Sequence, residues 1–127
     1  MIDWKKIKYF KPAEFFRPDL LREETILALD SLRSFIGRPI TITSSLRTLT
    51  QNMAVDGATN SAHLLQPDGL YSAVDFTISV PILDDEIRYI VISKLLLDGI
   101  ERVGLYRNHF HIDTEKRKPA IWFEDKP

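Results

Sequence analysis

All of the chain's histidines fall in two short stretches. Ser61-Ala62-His63 runs through a polar loop to Ala73-Val74-Asp75-Phe76, and His109-Phe110-His111-Ile112-Asp113 follows near the C-terminus. Imidazole and carboxylate are the ligand types that zinc takes in catalytic sites, and the same groups serve as general acids and bases. Side chains alternate along a strand, so His109, His111 and Asp113 share one face while Phe110 and Ile112 share the other. Asp75 likewise points away from Val74, Phe76 and Ile78. A carboxylate in a strand centre is unfavourable unless it is solvated, paired or metal-bound. Each of these residues alone also fits an exposed polar strand with no metal. Two histidines on one strand face beside an aspartate shift the balance toward a site.

The elements that must position these groups can be read in order. The 127 residues are expected to form one domain, with residues 1–18 as an irregular N-terminal arm whose Phe10, Phe15 and Phe16 dock on the core. Asp19 is placed as the N-cap of a helix in which Leu21, Ile26, Leu29, Leu32, Phe35 and Ile36 recur at helical spacing, and Gly37 ends it. Ile40-Thr41-Ile42-Thr43 reads as a β-branched strand with Ser44 to Thr48 as its exit. Residues 49–56 suit a short helix carrying Leu49, Met53 and Val55, and Asp56-Gly57-Ala58-Thr59-Asn60 is turn chemistry with Gly57 free to take positive φ. Residues 72–79 alternate as a strand, Asp84 or Asp85 caps a second long helix that stops at Gly99, and residues 102–107 and 109–115 pair antiparallel across Arg107-Asn108. Residues 120–123 are expected to add a last strand. The expected class is therefore α+β, with a small, mainly antiparallel sheet packed with two longer helices.

Composition narrows the functions. There is no cysteine, which excludes a Cys-ligated zinc, a disulfide framework and a thiol nucleophile. The net charge is −1, so no basic field favours nucleic acid, and Lys5, Lys6, Lys8 and Lys11 read as a solvated face. No apolar run is long enough to insert in a membrane, and the N-terminus lacks the apolar stretch of a signal peptide. The expectation is a protein that is cytoplasmic as synthesised.

The run Ile40-Thr41-Ile42-Thr43-Ser44-Ser45-Leu46-Arg47-Thr48, then Asn52, then Val55-Asp56-Gly57-Ala58-Thr59-Asn60-Ser61-Ala62-His63, resembles the M15-type zinc peptidases. These are D-alanyl-D-alanine carboxypeptidases and related peptidoglycan-cleaving enzymes, with a fold shared by the hedgehog signalling domain. Ala73-Val74-Asp75-Phe76, Gly104-Leu105-Tyr106 and His109-Phe110-His111-Ile112-Asp113-Thr114 fit the later motifs, so the resemblance covers roughly residues 10 to 115. It implies that His63, Asp75 and His111 hold Zn2+ with an open position for water, and that Arg47 binds the substrate carbonyl or carboxylate.

The chain departs from the family pattern twice. Residues 64–74 separate His63 from Asp75, a longer span than the family's compact motif, and Tyr71 stands where a glycine is usual. The bland account is a tolerated insertion around residues 66–70, since loop lengthening costs little, but it borders the site and is expected to bear on substrate access. Asn108 stands where well-studied members carry a carboxylate base, leaving His109, Asp113 or Glu115 as candidates; Asp113 equally suits the role of orienting His111. The expected function is zinc-dependent hydrolysis of an amide bond in peptidoglycan or other D-amino-acid-containing peptides. The missing signal suits a phage-type lysis enzyme released by a partner, or a cytoplasmic enzyme trimming peptides. The alternative is a non-catalytic zinc-containing module that binds cell-wall peptide.

Overall fold

A computed structural model of the chain describes residues 2–55 and 57–124; the turn expected at Asp56 lies partly outside them. Its elements run, after three short 3-10 turns, as α1 (Glu23–Ile36), β1 (Ile40–Ser44), α2 (Leu49–Ala54), β2 (Val74–Ile78), α3 (Asp85–Leu97), β3 (Arg102–Leu105), β4 (Phe110–Asp113) and β5 (Ala120–Phe123). The strands form one sheet in the order β1-β2-β4-β3-β5. All neighbours are antiparallel except β3 and β5, which are parallel. The expected α+β class with a mainly antiparallel sheet is what the chain adopts.

One face of the sheet is apolar because alternation sends Val74, Phe76 and Ile78 of β2 and Phe110 and Ile112 of β4 to the same side. There they meet Ile26, Leu29 and Leu32 of α1 and Val91 and Leu95 of α3 in one buried core. Phe76 and Phe110 stack with centroids 5.5 Å apart. The helices end as the glycines foretold: Gly37 takes φ 68° at the end of α1, and Gly99 takes φ 90° just after α3. Asp84, not Asp85, caps α3, its side chain accepting from the Ile87 N–H. Among the described residues no helix is long and apolar enough to cross a membrane.

Two local expectations need correction. Asp19 does not cap α1; it pairs with Arg17 at 2.8 Å within a separate 3-10 turn. The chain stays extended at Leu21 because Leu21 bridges Tyr71, the Tyr71 N–H donating to Leu20 O and the Arg22 N–H to Tyr71 O. Phe16 does not bury its ring, which is 54% exposed. Its backbone is what matters, the N–H donating to Ser45 Oγ and the carbonyl accepting from Tyr71 Oη–H, both at 2.9 Å. In α2 the apolar Leu49 and Met53 face outward, as does Val55 beyond the helix, and the buried residue is Asn52.

Strand register then builds the second face. Asp75 pairs with His111, His111 with Gly104, and Gly104 with Trp122, so these residues lie in one row across β2, β4, β3 and β5. Gly104 is required here for space. A Cβ at this position would come within 2.7 Å of the Trp122 indole, which crosses β3 over the glycine toward His111. Gly104→Ala should therefore cost about 1–3 kcal/mol through overpacking. Urea unfolding of the variant beside the parent protein checks this, and an unchanged midpoint would contradict it.

Candidate metal centre

β4 lies between β2 and β3, and each of its residues is buried, so the solvated edge strand that one reading allowed is not what forms. His111 and Asp113 face the opposite side from the core. Asp75 is only 5% exposed, and His63 is brought against it from the loop after α2. Its Nε2 lies 3.0 Å from Asp75 Oδ1, while His111 Nδ1 lies 2.9 Å from the same oxygen. One ligand-capable atom from each of His63, Asp75 and His111 falls within 4.8 Å of the others, a grouping that could hold a metal ion.

The far sides of both imidazoles are held. His63 Nδ1 lies 2.7 Å from the Ser45 carbonyl. A carbonyl only accepts, so Nδ1 donates there and Nε2 is the nitrogen turned inward to Asp75. His111 Nε2 lies 2.9 Å from Asp113 Oδ2, which leaves Nδ1 facing Asp75. Carboxylates and carbonyls behind histidines are the usual means of orienting metal ligands. Asp113 is itself fixed: Arg102 Nε donates to its Oδ1 at 2.8 Å, and the Glu115 N–H donates to the same atom at 3.2 Å. Ser45 is fixed in turn by the Phe16 N–H, so the N-terminal arm braces the site.

These contacts set the charge states. Burial pushes the Asp75 carboxyl up, but hydrogen bonds from His111 and His63 and the charges on both rings outweigh it and hold the group well below the usual carboxylate range. Burial likewise opposes ionisation of Asp113, and its hydrogen bond with His111 and the charges of His111 and Arg102 overcome it, leaving a lowered pKa. For His111 burial pulls down, while the hydrogen bonds and charges of Asp113 and Asp75 raise it above the ordinary imidazole value. His109 moves the other way, lowered chiefly by burial.

The centre opens into a cleft of about 630 Å³, also lined by Arg47, Tyr106, His109, Arg117, Trp122 and Glu124. Arg47 Nη2 donates toward Asp75 Oδ2 at 3.3 Å and Nη1 toward Asn52 Oδ1 at 3.4 Å. Asn52 Nδ2 also donates to Ala58 O at 2.9 Å, so the inward residue of α2 ties Arg47 to the loop that leads to His63. A Cβ at Gly57 would strike the Asn52 carboxamide, so this glycine serves a close approach. His109 precedes β4 rather than lying within it. Its Nε2 is 3.7 Å from Asp75 Oδ2, and its Nδ1 is 2.7 Å from Asn108 Oδ1.

Of the residues singled out in the sequence, His63, Asp75, His109, His111, Asp113 and Arg47 converge on this cleft. Glu115 does not: its Oε2 turns to Arg22 Nε, 3.6 Å away. The long loop after His63 also turns aside. Asp68 pairs with Arg22, Gly69 takes φ 81°, and none of residues 64–72 lines the cleft. Ser45, Arg102 and Trp122 were not identified from sequence. For Arg102 a signal existed, since folding the last hairpin symmetrically about Arg107-Asn108 sets Arg102 opposite Asp113 and Gly104 opposite His111.

A family model described as Peptidase M15 matches residues 8–113 of the chain. No curated protein matches it.

Proposed function

The chain belongs to the peptidase M15 family, and from that premise we propose that it is a zinc metallopeptidase that hydrolyses an amide bond in peptidoglycan peptides. M15 peptidases are generally zinc-dependent, and the observation that supports the same here is the buried His63, Asp75 and His111 grouping with both imidazoles oriented from behind. The donor set suits the ion: nitrogen and carboxylate ligands, no thiolate, and a cleft on the open side. Zinc held by these three residues would supply a Lewis acid and an acidified water molecule.

The chain's own residues divide the remaining work. Arg47 presents guanidinium donors beside the centre, where they can bind the scissile carbonyl oxygen or a neighbouring carboxylate. His109 is the proton carrier. Asn108 replaces the expected carboxylate, but its amide oxygen accepts from His109 Nδ1–H, which leaves Nε2 as a free base turned toward the centre. Burial favours the neutral ring that this task needs. Asp113 takes the second of the two roles open to it: both its oxygens are engaged, so it holds His111 and does not meet substrate.

Incubating the zinc-loaded protein with muropeptides and with a peptide ending in D-Ala-D-Ala, followed by mass analysis, tests this reading. Product release is expected from at least one. Binding of either peptide without any product would instead support the zinc-containing binding module, the reading that Asn108 favours by lacking a proton acceptor of carboxylate strength.

Zinc binding should also be linked to pH. In the metal-free protein His111 is raised above the ordinary imidazole pKa of about 6.5, and a ligand must be neutral to bind metal. Affinity should therefore fall as pH falls, beginning above about pH 6.5, with a proton released on binding. Calorimetric titration with zinc in buffers of different ionisation heat reads that proton directly.

A further inference from the structure

We infer that Trp122 and Tyr106 are positioning residues for His109, forming an aromatic stack that fixes its imidazole beside the metal centre. The inference rests on the role proposed above for His109. This histidine lies just before β4, where its carbonyl accepts from the Tyr106 N–H at 3.0 Å. Its ring lies flat on that of Tyr106, with centroids 4.4 Å apart and planes 10° from parallel. Asn108, the other group on the ring, is an exposed turn residue and a poor anchor by itself.

Tyr106 is anchored from further away. Its hydroxyl accepts from Trp122 Nε1–H at 3.1 Å. An indole N–H only donates, so this bond fixes the orientation of the hydroxyl oxygen. Trp122 is placed by the parallel pairing of β5 with β3, in register with Gly104, whose missing side chain lets the indole lie across the strand. The indole also meets His111, 5.3 Å between centroids, and the Arg102 guanidinium stands 5.5 Å from the indole. Trp122 therefore touches both a proposed ligand and the support of the proposed base. It lies beyond residues 8–113, where the family match ends. Misplacing a reacting group by about 1 Å can cost on the order of a hundredfold in rate, so a turn residue acting as base gains from such a stack.

Trp122 also lines the cleft, where a substrate contact would show in KM rather than kcat. The test compares Trp122→Ala, Trp122→Phe, Tyr106→Leu and Tyr106→Phe with the parent protein, all zinc-loaded and with metal content measured. On a peptide that the parent cleaves, Trp122→Ala and Tyr106→Leu should lower kcat about 10- to 100-fold with KM within about twofold. The two phenylalanine variants, which keep an aromatic ring and remove the shared hydrogen bond, should each show a smaller loss, and combining them should add little. A raised KM with unchanged kcat would overturn the inference. A second readout needs no turnover: in nuclear magnetic resonance spectra the His109 ring protons should be displaced by the Tyr106 ring current, and Tyr106→Leu and Trp122→Phe should alter that shift. If the parent cleaves no peptide, the proposed function fails, while the His109 signal still decides the stack. Unaltered His109 signals in both variants would refute it.

Discussion

Replacing His111 by alanine should strip the protein of zinc, whereas replacing His109 should leave zinc bound and activity lost. The two residues are neighbours in sequence and both line the cleft, yet their surroundings differ. His111 has both ring nitrogens committed, one to Asp75 and one to Asp113, in a buried setting. His109 reaches Asp75 only at 3.7 Å and is otherwise held by a turn amide and an aromatic face. Zinc sites of four protein ligands contribute about 10–16 kcal/mol, so one ligand's share is on the order of 3 kcal/mol, more than a hundredfold in affinity. His63→Ala should match His111→Ala. Loss of a general base costs about 10²- to 10⁴-fold in rate with metal retained, the pattern expected of His109→Ala. Metal analysis after dialysis against a zinc buffer, paired with kinetics, separates the two. Full zinc content in both His63→Ala and His111→Ala would overturn the ligand assignment.

Arg102→Ala is expected to damage stability and metal binding together. The Asp113 carboxylate is 2% exposed, and Arg102 Nε, 2.8 Å from Oδ1, shares its compensation with His111. Removing one partner of a buried ion pair is destabilising, and with His111 still in place the cost here should be about 3 kcal/mol. His111 and the Glu115 N–H still hydrogen-bond the carboxylate, so the fold should survive. With Asp113 loosened, His111 loses the group that orients it, and zinc affinity should drop about 10- to 100-fold. Adding Asp113→Asn to Arg102→Ala removes the stranded charge, so the double variant should be less destabilised than the sum of the singles. Denaturant unfolding of the metal-free proteins measures this coupling. Strict additivity would mean that Arg102 and Asp113 do not act as a pair.

Much of this could be read from the sequence because it is local. The period-two pattern of Val74, Phe76 and Ile78 identified β2 and put Asp75 on the far face. Gly37 and Gly99 marked helix ends through the one backbone conformation that glycine adopts freely. The His and Asp residues of the centre could be singled out because few side chains bind zinc. Local signals failed where a distant partner overrode them. Asp19 looked like a cap until Tyr71 drew Leu21 into an extended bridge, and the long loop after His63 was expected to bear on substrate access, but Asp68 pairs with Arg22 away from the cleft.

What the sequence alone determined, then, is the inventory of the centre: which residues could bind metal, and which strand faces carry them. Those follow from side-chain chemistry and from alternation, which need no knowledge of distant contacts. Tertiary structure decided which of them meet. Pairing of β2 with β4 set Asp75 against His111, pairing of β3 with β4 put Arg102 behind Asp113, and pairing of β3 with β5 brought Trp122 across Gly104. The first and last of these depend on strand register between segments distant in the chain, and the hairpin on where its turn falls; a shift of one residue would turn these side chains to the opposite face.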